Sequence, residues 1–210
     1  MPGTARRLAT IYARVARLGL RRMQHVGHGW PLRTLIEGSL TTTGSGTIQL
    51  GDRVRLNAGV WLHCEPDGRM SIGAGSAIGR NSQLSCLGRV TIGSGVLLSP
   101  NVLVMDHAHG RLEGRRSYID QRIEARGSIT IEDDCWLGAY SCILSRRDEP
   151  LIVGKGSIIG AGAIVTSSVP PRSAVVGPIG RIVRTLDDME NHAENTLEGP
   201  EAGTIEAVDL

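Results

Sequence analysis

An aliphatic side chain returns every six residues through most of the middle of the chain. The repeat falls into five triplets, and each triplet keeps its spacing of six throughout. A helix would repeat with a period near 3.6 and a two-sided strand with a period of 2, so neither explains this pattern. Short strands separated by sharp corners do. The triplets are Leu50, Leu56 and Leu62; Ile72, Ile78 and Leu84; Ile92, Leu98 and Val104; Ile131, Leu137 and Ile143; Val153, Ile159 and Val165.

Small residues mark the corners of this repeat. A glycine or another small or polar residue usually follows the aliphatic, as in Ile78-Gly79 and Leu137-Gly138. If three hexapeptides close one turn of a solenoid, the aliphatics point inward, and strands of successive turns pair about 4.8 Å apart. The spacing therefore predicts an all-β parallel β-helix of about five turns and disfavours a glycine-rich β-sandwich.

The intervals between triplets predict the organisation of the chain. Successive triplets begin 22, 20, 39 and 22 residues apart, so one junction carries a long insertion at residues 106–128. Long loops in compact domains are usually functional. We expect a basic helix and cap in residues 1–40, the repeat in 41–184 and an acidic tail in 185–210.

The two ends differ in charge. Residues 1–33 carry seven Arg and no acid, whereas residues 185–210 carry eight acids and no Lys or Arg. Residues 4–24 form an amphipathic pattern with Leu8, Ile11, Val15 and Leu18 near one helical face. This predicted helix either caps the open end of the solenoid or lies on an anionic membrane surface. The acidic tail carries no recognisable chemistry.

Composition excludes several classes of protein. The net charge is only +2, so a strongly basic nucleic-acid footprint is absent. No stretch reaches the roughly 18 apolar residues of a membrane span, and the Arg-rich N-terminus lacks an apolar signal-peptide centre. We therefore expect a cytoplasmic protein, peripheral to the inner face of the membrane if the N-terminal helix binds there. The four cysteines show no metal-site spacing and are interpreted as small buried residues.

Several motifs resemble those of a known family. From about Ile48 to Arg184 the chain resembles the hexapeptide-repeat acyltransferases, in particular the maltose/galactoside acetyltransferase-like group and its relatives in polysaccharide gene clusters. The resemblance implies a left-handed parallel β-helix that assembles as a homotrimer. The segments that carry it are Ser99–Val102, Asp106–Gly110, Cys135–Ala139, Ile159–Thr166 and Val169–Pro171, with Arg181 and Arg184.

Two histidines at the start of the insertion are the candidate catalytic residues. Acyl transfer to an alcohol needs a base that takes the hydroxyl proton, and histidine titrates in a suitable range. Counting from Asn101 without gaps, the resemblance places the base at the ninth residue, His109, with His107 as a neighbour that orients the substrate. The reverse assignment remains open. Asp106 either orients an imidazole, contacts the substrate or ends the strand.

The resemblance also implies a donor and a donor site. The donor is acetyl-CoA, without a metal, held in a groove between trimer subunits. The expected donor-binding residues are Trp136, Gly138, Ala139, Gly160, Ala161, Thr166, Arg181 and Arg184. The chain departs from the group at Ser167, where Lys is common, and at residues 177–180. The acceptor-binding Asn of the group falls on Gly79, which leaves Asn81 as the substitute.

These features predict an acetyl-CoA-dependent O-acetyltransferase that acts on a sugar or polysaccharide precursor. The alternatives are an N-acetyl- or succinyltransferase for an amino sugar and a non-catalytic β-helix scaffold. A zinc enzyme like the γ-class carbonic anhydrases would need three His ligands, and the repeat region offers only His63 and the His107/His109 pair. The sequence does not identify the sugar.

Overall fold

The computed structural model describes residues 29–110, 117–145, 149–178 and 181–185, with residue 118 and residues 181–185 described by their backbone alone. Nearly all of the regular structure in these residues is strand, and the exception is one 3₁₀ turn at Tyr118–Asp120. In chain order the strands are β1 (Leu35–Ile36), β2 (Leu40–Thr43), β3 (Thr47–Leu50), β4 (Arg55–Leu56), β5 (Val60–Cys64), β6 (Arg69–Ile72), β7 (Ala77–Ile78), β8 (Gln83–Cys86), β9 (Arg89–Ile92), β10 (Leu97–Leu98), β11 (Leu103–Met105), β12 (His107–His109), β13 (Ile123–Ala125), β14 (Ser128–Ile131), β15 (Trp136–Leu137), β16 (Cys142–Leu144), β17 (Leu151–Val153), β18 (Ile158–Ile159), β19 (Ile164–Val165), β20 (Ser173–Val176) and β21 (Arg181–Thr185).

The strands form three sheets that wind into a solenoid. The first sheet has the order β1-β4-β7-β10-β15-β18-β20-β21, the second β2-β5-β8-β11-β16-β19 and the third β3-β6-β9-β14-β17. Pairing between successive turns is parallel in all three sheets. Within them β21 runs antiparallel to β20, and a separate two-stranded sheet pairs β12 with β13, also antiparallel. The predicted all-β parallel β-helix is therefore confirmed.

The solenoid has about six turns, one more than the repeat predicted. The first turn consists of β1, β2 and β3. The repeat predicted only its third strand, through Leu50, and the two strands before it begin at Leu35, ahead of the expected boundary at residue 41. Thr42 stands there in register with buried Leu62, and a threonine at an inward position breaks the aliphatic pattern. Periodicity in apolar residues could not detect these two strands for that reason.

The sixfold aliphatics form the core. All fifteen predicted positions are buried, and the most exposed of them is Leu50 at 8%. Equivalent residues of successive turns lie in direct register, as Leu84 does with Val104. Full burial of such a side chain is worth roughly 1.5–3 kcal/mol, so the stacked aliphatics are the main source of stability.

Small buried residues complete the corners. The hydroxyl of Ser76 donates to Gly93 O and accepts from Val96 N, and Ser82 makes the same pair of bonds to Ser99 O and Val102 N. These bonds satisfy backbone groups that would otherwise be left unpaired inside the fold.

Three of the four cysteines, Cys64, Cys86 and Cys135, are buried as predicted, whereas Cys142 on β16 is half-buried. All four thiols are free, and burial raises the pKa of Cys64, Cys86, Cys135 and Cys142. A raised pKa keeps a thiol protonated and unreactive near neutral pH.

The N-terminal end of the solenoid is covered by Trp30. The indole is 6% exposed and donates from Nε1 to Ile48 O at 3.0 Å. No helix among the described residues is long and apolar enough to cross a membrane. The amphipathic helix expected in residues 4–24 and the acidic tail beyond residue 185 lie outside the described residues.

Replacing Ile159 with Asp tests the inward face of the stack. Ile159 is fully buried in β18, and an unpaired buried carboxylate costs several kcal/mol, a large share of the ~5–15 kcal/mol by which a domain is stable. We expect Ile159→Asp to prevent folding, as measured by circular dichroism and soluble yield. Ile119→Asp is the control because Ile119 is 86% exposed. A soluble Ile159→Asp protein with native melting behaviour would contradict this assignment of the core.

Candidate functional site

The insertion leaves the solenoid at the corner between the second and third sheets. Its first strand, β12, follows β11 after one residue and pairs antiparallel with β13, with His107 opposite Ala125 and His109 opposite Ile123. The chain then rejoins the stack at β14. The base of the hairpin is fixed because Arg126 N donates to Asp106 O at 2.7 Å, so residues 106 and 107 belong to a rigid part of the fold.

Asp106 is the most deeply buried charged residue of this corner, with no exposed surface. Its carboxylate accepts from Leu87 N at 2.8 Å and from Gly88 N at 2.9 Å. Burial alone would raise the pKa of Asp106, but the hydrogen bonds from His107 and from these two amides outweigh burial and lower it. Asp106 is therefore ionised at neutral pH.

The Asp106 carboxylate orients His107. Asp106 Oδ1 lies 3.1 Å from His107 Nδ1, and because an ionised carboxylate only accepts, Nδ1 carries the hydrogen. In the neutral imidazole Nε2 then presents its lone pair, which faces the hydroxyl of Ser85 at 3.4 Å. The His107 side chain is 11% exposed. Asp106, His107 and Ser85 form what we call the imidazole array.

His109 lies further along the hairpin and is exposed. Within the described part of the chain the His109 imidazole has no hydrogen-bond partner, whereas the His107 imidazole has two. The structure thus brings His107, Asp106 and Ser85 together and leaves His109 outside this array.

Ser85 was not singled out by the sequence. It is separated from His107 by 22 residues but stands on β8, directly in register with Met105 of the next turn. The available signal was the repeat itself, since residues one turn apart become neighbours in a β-helix.

A shallow cavity of about 210 Å³ lies at the same corner, further toward the C-terminus. Ser145, Glu149, Thr166 and Ser167 contribute to its lining. Ser145 N donates to Met105 O at 3.1 Å, and its hydroxyl donates to Arg126 O. These bonds connect the cavity, and with it the predicted donor residue Thr166, to the base of the inserted hairpin.

The predicted glycine-alanine corners occur at equivalent places on successive turns. Gly138 N and Gly160 N donate within the stack, to Ile159 O and Val175 O. A Cβ on Gly138 would lie 2.5 Å from Ala161 N, so stacking alone requires glycine there. The next amides, those of Ala139 and Ala161, donate to no backbone acceptor within the described residues.

The remaining donor candidates lie on the first sheet. Trp136 is 48% exposed on β15 and donates from Nε1 to Ser99 Oγ at 3.1 Å. Arg181 and Arg184 belong to β21, where they pair with Val176 and Ala174 of β20.

Asn81 occupies a corner with a left-handed backbone, φ 55°. Its Oδ1 would lie 2.2 Å from a Cβ on Gly59, so Asn81 packs against the preceding turn. No described hydrogen bond joins it to His107.

Within the described ranges there is no group of three or more His, Cys, Asp or Glu side chains arranged to hold a metal ion. The His63 and His107 imidazoles each have both ring nitrogens within hydrogen-bonding range of protein side chains.

The lowered pKa of Asp106 makes stability depend on pH in the acid range. The ionised Asp106 carboxylate stabilises the fold at pH values above its ordinary pKa of 3.8. This stabilisation is lost as the pH falls through the lower pKa that Asp106 has in the folded protein. We expect the melting temperature of Asp106→Asn to fall less than that of the unmodified protein between about pH 5 and about pH 2.5. At neutral pH the variant should be less stable by about 1–3 kcal/mol, because the amide cannot replace both acceptor oxygens.

Thermal unfolding monitored by circular dichroism across this pH series measures both effects. Asp67→Asn is the matched control because Asp67 is exposed and should change neither the slope nor the melting temperature at neutral pH. Equal acid sensitivity of Asp106→Asn and the unmodified protein would rule out an ionised Asp106 as the source of the dependence.

Comparison with known proteins identifies the repeat. The family described as the hexapeptide repeat of succinyl-transferase matches residues 128–167. The chain is 30% identical to the galactoside O-acetyltransferase of Escherichia coli K12 over 139 residues, which is 61% of this chain and 63% of that enzyme. It is 33% identical over 100 residues to an acetyltransferase-like protein of Schizosaccharomyces pombe, covering 47% of this chain and 44% of that protein. The chain thus matches less than two thirds of the length of either relative.

Solved structures share the fold. The N-acyltransferase AntD of Bacillus cereus, in complex with dTDP and 3-hydroxybutyryl-CoA, superposes with a TM-score of 0.61 and 18% identity, covering 80% of this chain and 89% of AntD. A hexapeptide-repeat acetyltransferase of Vibrio cholerae gives 0.51 and 23%, covering 86% and 93%. The chain thus carries the hexapeptide repeat, folds as a parallel β-helix and is similar in sequence to a galactoside O-acetyltransferase.

Proposed function

We propose that this protein transfers an acetyl group from acetyl-CoA to a hydroxyl of a sugar or polysaccharide precursor. The observation that carries the proposal is the imidazole array, in which a buried carboxylate holds an imidazole at the base of the inserted hairpin. The galactoside O-acetyltransferase relative supports the reaction class.

His107 is the general base of this proposal. With Nδ1–H donated to Asp106, Nε2 accepts the proton of the acceptor hydroxyl as its oxygen attacks the thioester carbonyl carbon. The C–S bond then breaks, and the imidazolium returns the proton to the CoA thiolate. Asp106 stabilises the imidazolium through the 3.1 Å contact. The Ser85 hydroxyl, now 3.4 Å from Nε2, lies beside the position that the acceptor hydroxyl would occupy.

Geometry favours His107 over His109 for this role. A base is effective when its tautomer and direction are fixed before the substrate arrives, and the buried Asp106 does this for His107. The gapless count from Asn101 favours His109 as the base. In this proposal His109 instead contacts the acceptor from the exposed hairpin. Separate replacement of the two histidines decides between the assignments.

In this proposal acetyl-CoA lies along the corner between the second and third sheets and along the later turns of the solenoid. The cavity beside Thr166 adjoins the base of the hairpin, and the amides of Ala139 and Ala161 can donate to the pantetheine carbonyls. Arg181 and Arg184 are assigned to the phosphates, a role that suits guanidinium groups. The proposed homotrimer completes the groove with residues of a second subunit.

The catalytic prediction separates the two histidines. We expect His107→Ala to lower turnover of acetyl-CoA and a sugar acceptor by about 10²–10⁴-fold, the usual contribution of a positioned general base. The Kd of CoA, measured by calorimetry, should stay within about twofold because the imidazole does not hold the donor. His109→Ala should cause a smaller loss, expressed mainly as a higher acceptor KM.

Two results would overturn this assignment. If His109→Ala abolishes turnover while His107→Ala retains it, the base is His109 and the array has a structural role. If neither variant loses activity and CoA does not bind, the enzyme proposal fails and a scaffold function replaces it.

The proposed homotrimer predicts the mass of the protein in solution. A closed trimer built from one repeated contact has threefold symmetry, so light scattering at micromolar concentration should give about three times the subunit mass of 22.4 kDa. A monomeric mass under these conditions would contradict a donor groove shared between subunits.

A further inference from the structure

A second hydrogen-bonded group of side chains lies on the outer face of the second sheet. Trp61 Nε1 donates to Thr43 Oγ1 at 2.7 Å, and the same hydroxyl lies 2.7 Å from His63 Nδ1. His63 Nε2 in turn lies 3.0 Å from Glu65 Oε1. We call these four residues the Trp61 cluster. The mechanism proposed above uses none of them.

The hydrogen bonds determine the direction of each donor. An indole N–H only donates and an ionised carboxylate only accepts, so His63 carries its hydrogen on Nε2 in the neutral state. Thr43 then accepts from Trp61 and donates to His63 Nδ1. The cluster is a preorganised array whose partners all lie within one sheet face, and such fixed arrays are typical of binding sites.

The cluster is next to the imidazole array. His63 of β5 is in direct register with Ser85 of β8, and Ser85 faces His107 Nε2. Neighbouring strands of a sheet are about 4.8 Å apart, so one strand spacing separates the cluster from the residue that contacts the proposed base. The two groups form one continuous polar surface.

The side chains on the outer face of the second sheet change from mainly polar to mainly apolar along the solenoid. Its early turns present Trp61 and Gln83, and the register positions that follow are Leu103, Cys142 and Ile164. The second outward column changes in the same way, from Thr43, His63 and Ser85 to Met105 and Leu144. The polar chemistry is thus confined to the turns on the N-terminal side of His107.

The cluster retains groups that can contact a ligand. The Glu65 side chain is 34% exposed and that of His63 19%. The rings of Trp61 and His63 lie 5.6 Å apart and are tilted by 41°, so they do not stack face to face, and Trp61 is half-buried. An aromatic face packs against the apolar C–H face of a sugar ring, while a carboxylate accepts hydrogen bonds from its hydroxyls.

We propose that the Trp61 cluster is the acceptor subsite and binds a neutral hexopyranose ring. Trp61 packs against the ring, Glu65 accepts from ring hydroxyls, and the adjacent hydroxyl reaches His107 Nε2 across Ser85. This inference rests on the proposed function and adds the location and chemistry of acceptor recognition. The acceptor approaches from the N-terminal side of His107 and the donor from the C-terminal side.

The test measures steady-state acetylation of methyl β-D-galactopyranoside, methyl β-D-glucopyranoside and methyl α-D-mannopyranoside by Trp61→Ala and Glu65→Gln. We expect the KM for the sugar to rise at least about 10-fold in each variant with kcat less affected. Glu65→Gln loses the charged acceptor of the ring hydroxyls and Trp61→Ala loses the aromatic face, and each loss weakens binding by about that order. The KM for acetyl-CoA and the Kd of CoA should remain unchanged.

Controls separate binding from folding. Glu37→Gln alters an exposed acid of the first turn and should leave every constant unchanged. Trp61→Phe keeps an aromatic face but loses the bond to Thr43, so its KM should lie between those of the unmodified protein and Trp61→Ala. Melting temperatures and CoA affinity of all variants are measured alongside to show that the stack is intact.

The outcomes are distinguishable from those of the proposed function. Unchanged sugar KM values in folded Trp61→Ala and Glu65→Gln would overturn the subsite while leaving the acetyltransferase proposal standing. If the unmodified protein binds CoA and acetylates none of the three pyranosides, the hexopyranose assignment is wrong. If it neither binds CoA nor transfers acetyl groups to any of them, the proposed function fails as well.

Discussion

Each turn of the solenoid exchanges backbone hydrogen bonds with the turns before and after it, at the strand spacing of about 4.8 Å. This close approach dictates which side chains the corners accept. Gly138 cannot carry a Cβ because Ala161 N lies too near, and small hydroxyls such as that of Ser76 bond across turns inside the fold. The inward aliphatics then stack without gaps, since equivalent residues lie directly above one another.

The same stacking places the residues of the imidazole array. Asp106 can be both buried and ionised because the amides of Leu87 and Gly88, one turn earlier, point at its carboxylate. Ser85 belongs to that earlier turn as well, so the imidazole of His107 is held between groups from two successive turns. The inserted hairpin adds no new core and instead begins at a point where the stack already supplies hydrogen-bond donors.

The parts of this structure that follow the sixfold period could be predicted from sequence. All fifteen aliphatics of the repeat are buried, because one inward position per hexapeptide is enough to define the core. The strands β1 and β2 were missed because Thr42 stands at the position equivalent to the buried Leu62, and side-chain hydrophobicity is then uninformative. Contacts between turns were harder to foresee than the turns themselves. Counting residues from Asn101 favours His109, but such a count contains no information about which imidazole faces the buried carboxylate.

The position of the imidazole array within the stack determines how readily local unfolding disturbs it. In a solenoid, each turn is held only by its neighbours, so local opening begins at the two ends, where one neighbour is missing, and moves inward. Ser85 lies in the third turn and Asp106 in the fourth of about six. Fraying from either end would have to separate two or more turns before it disturbed the alignment of His107, so the imidazole array lies where such opening is rarest.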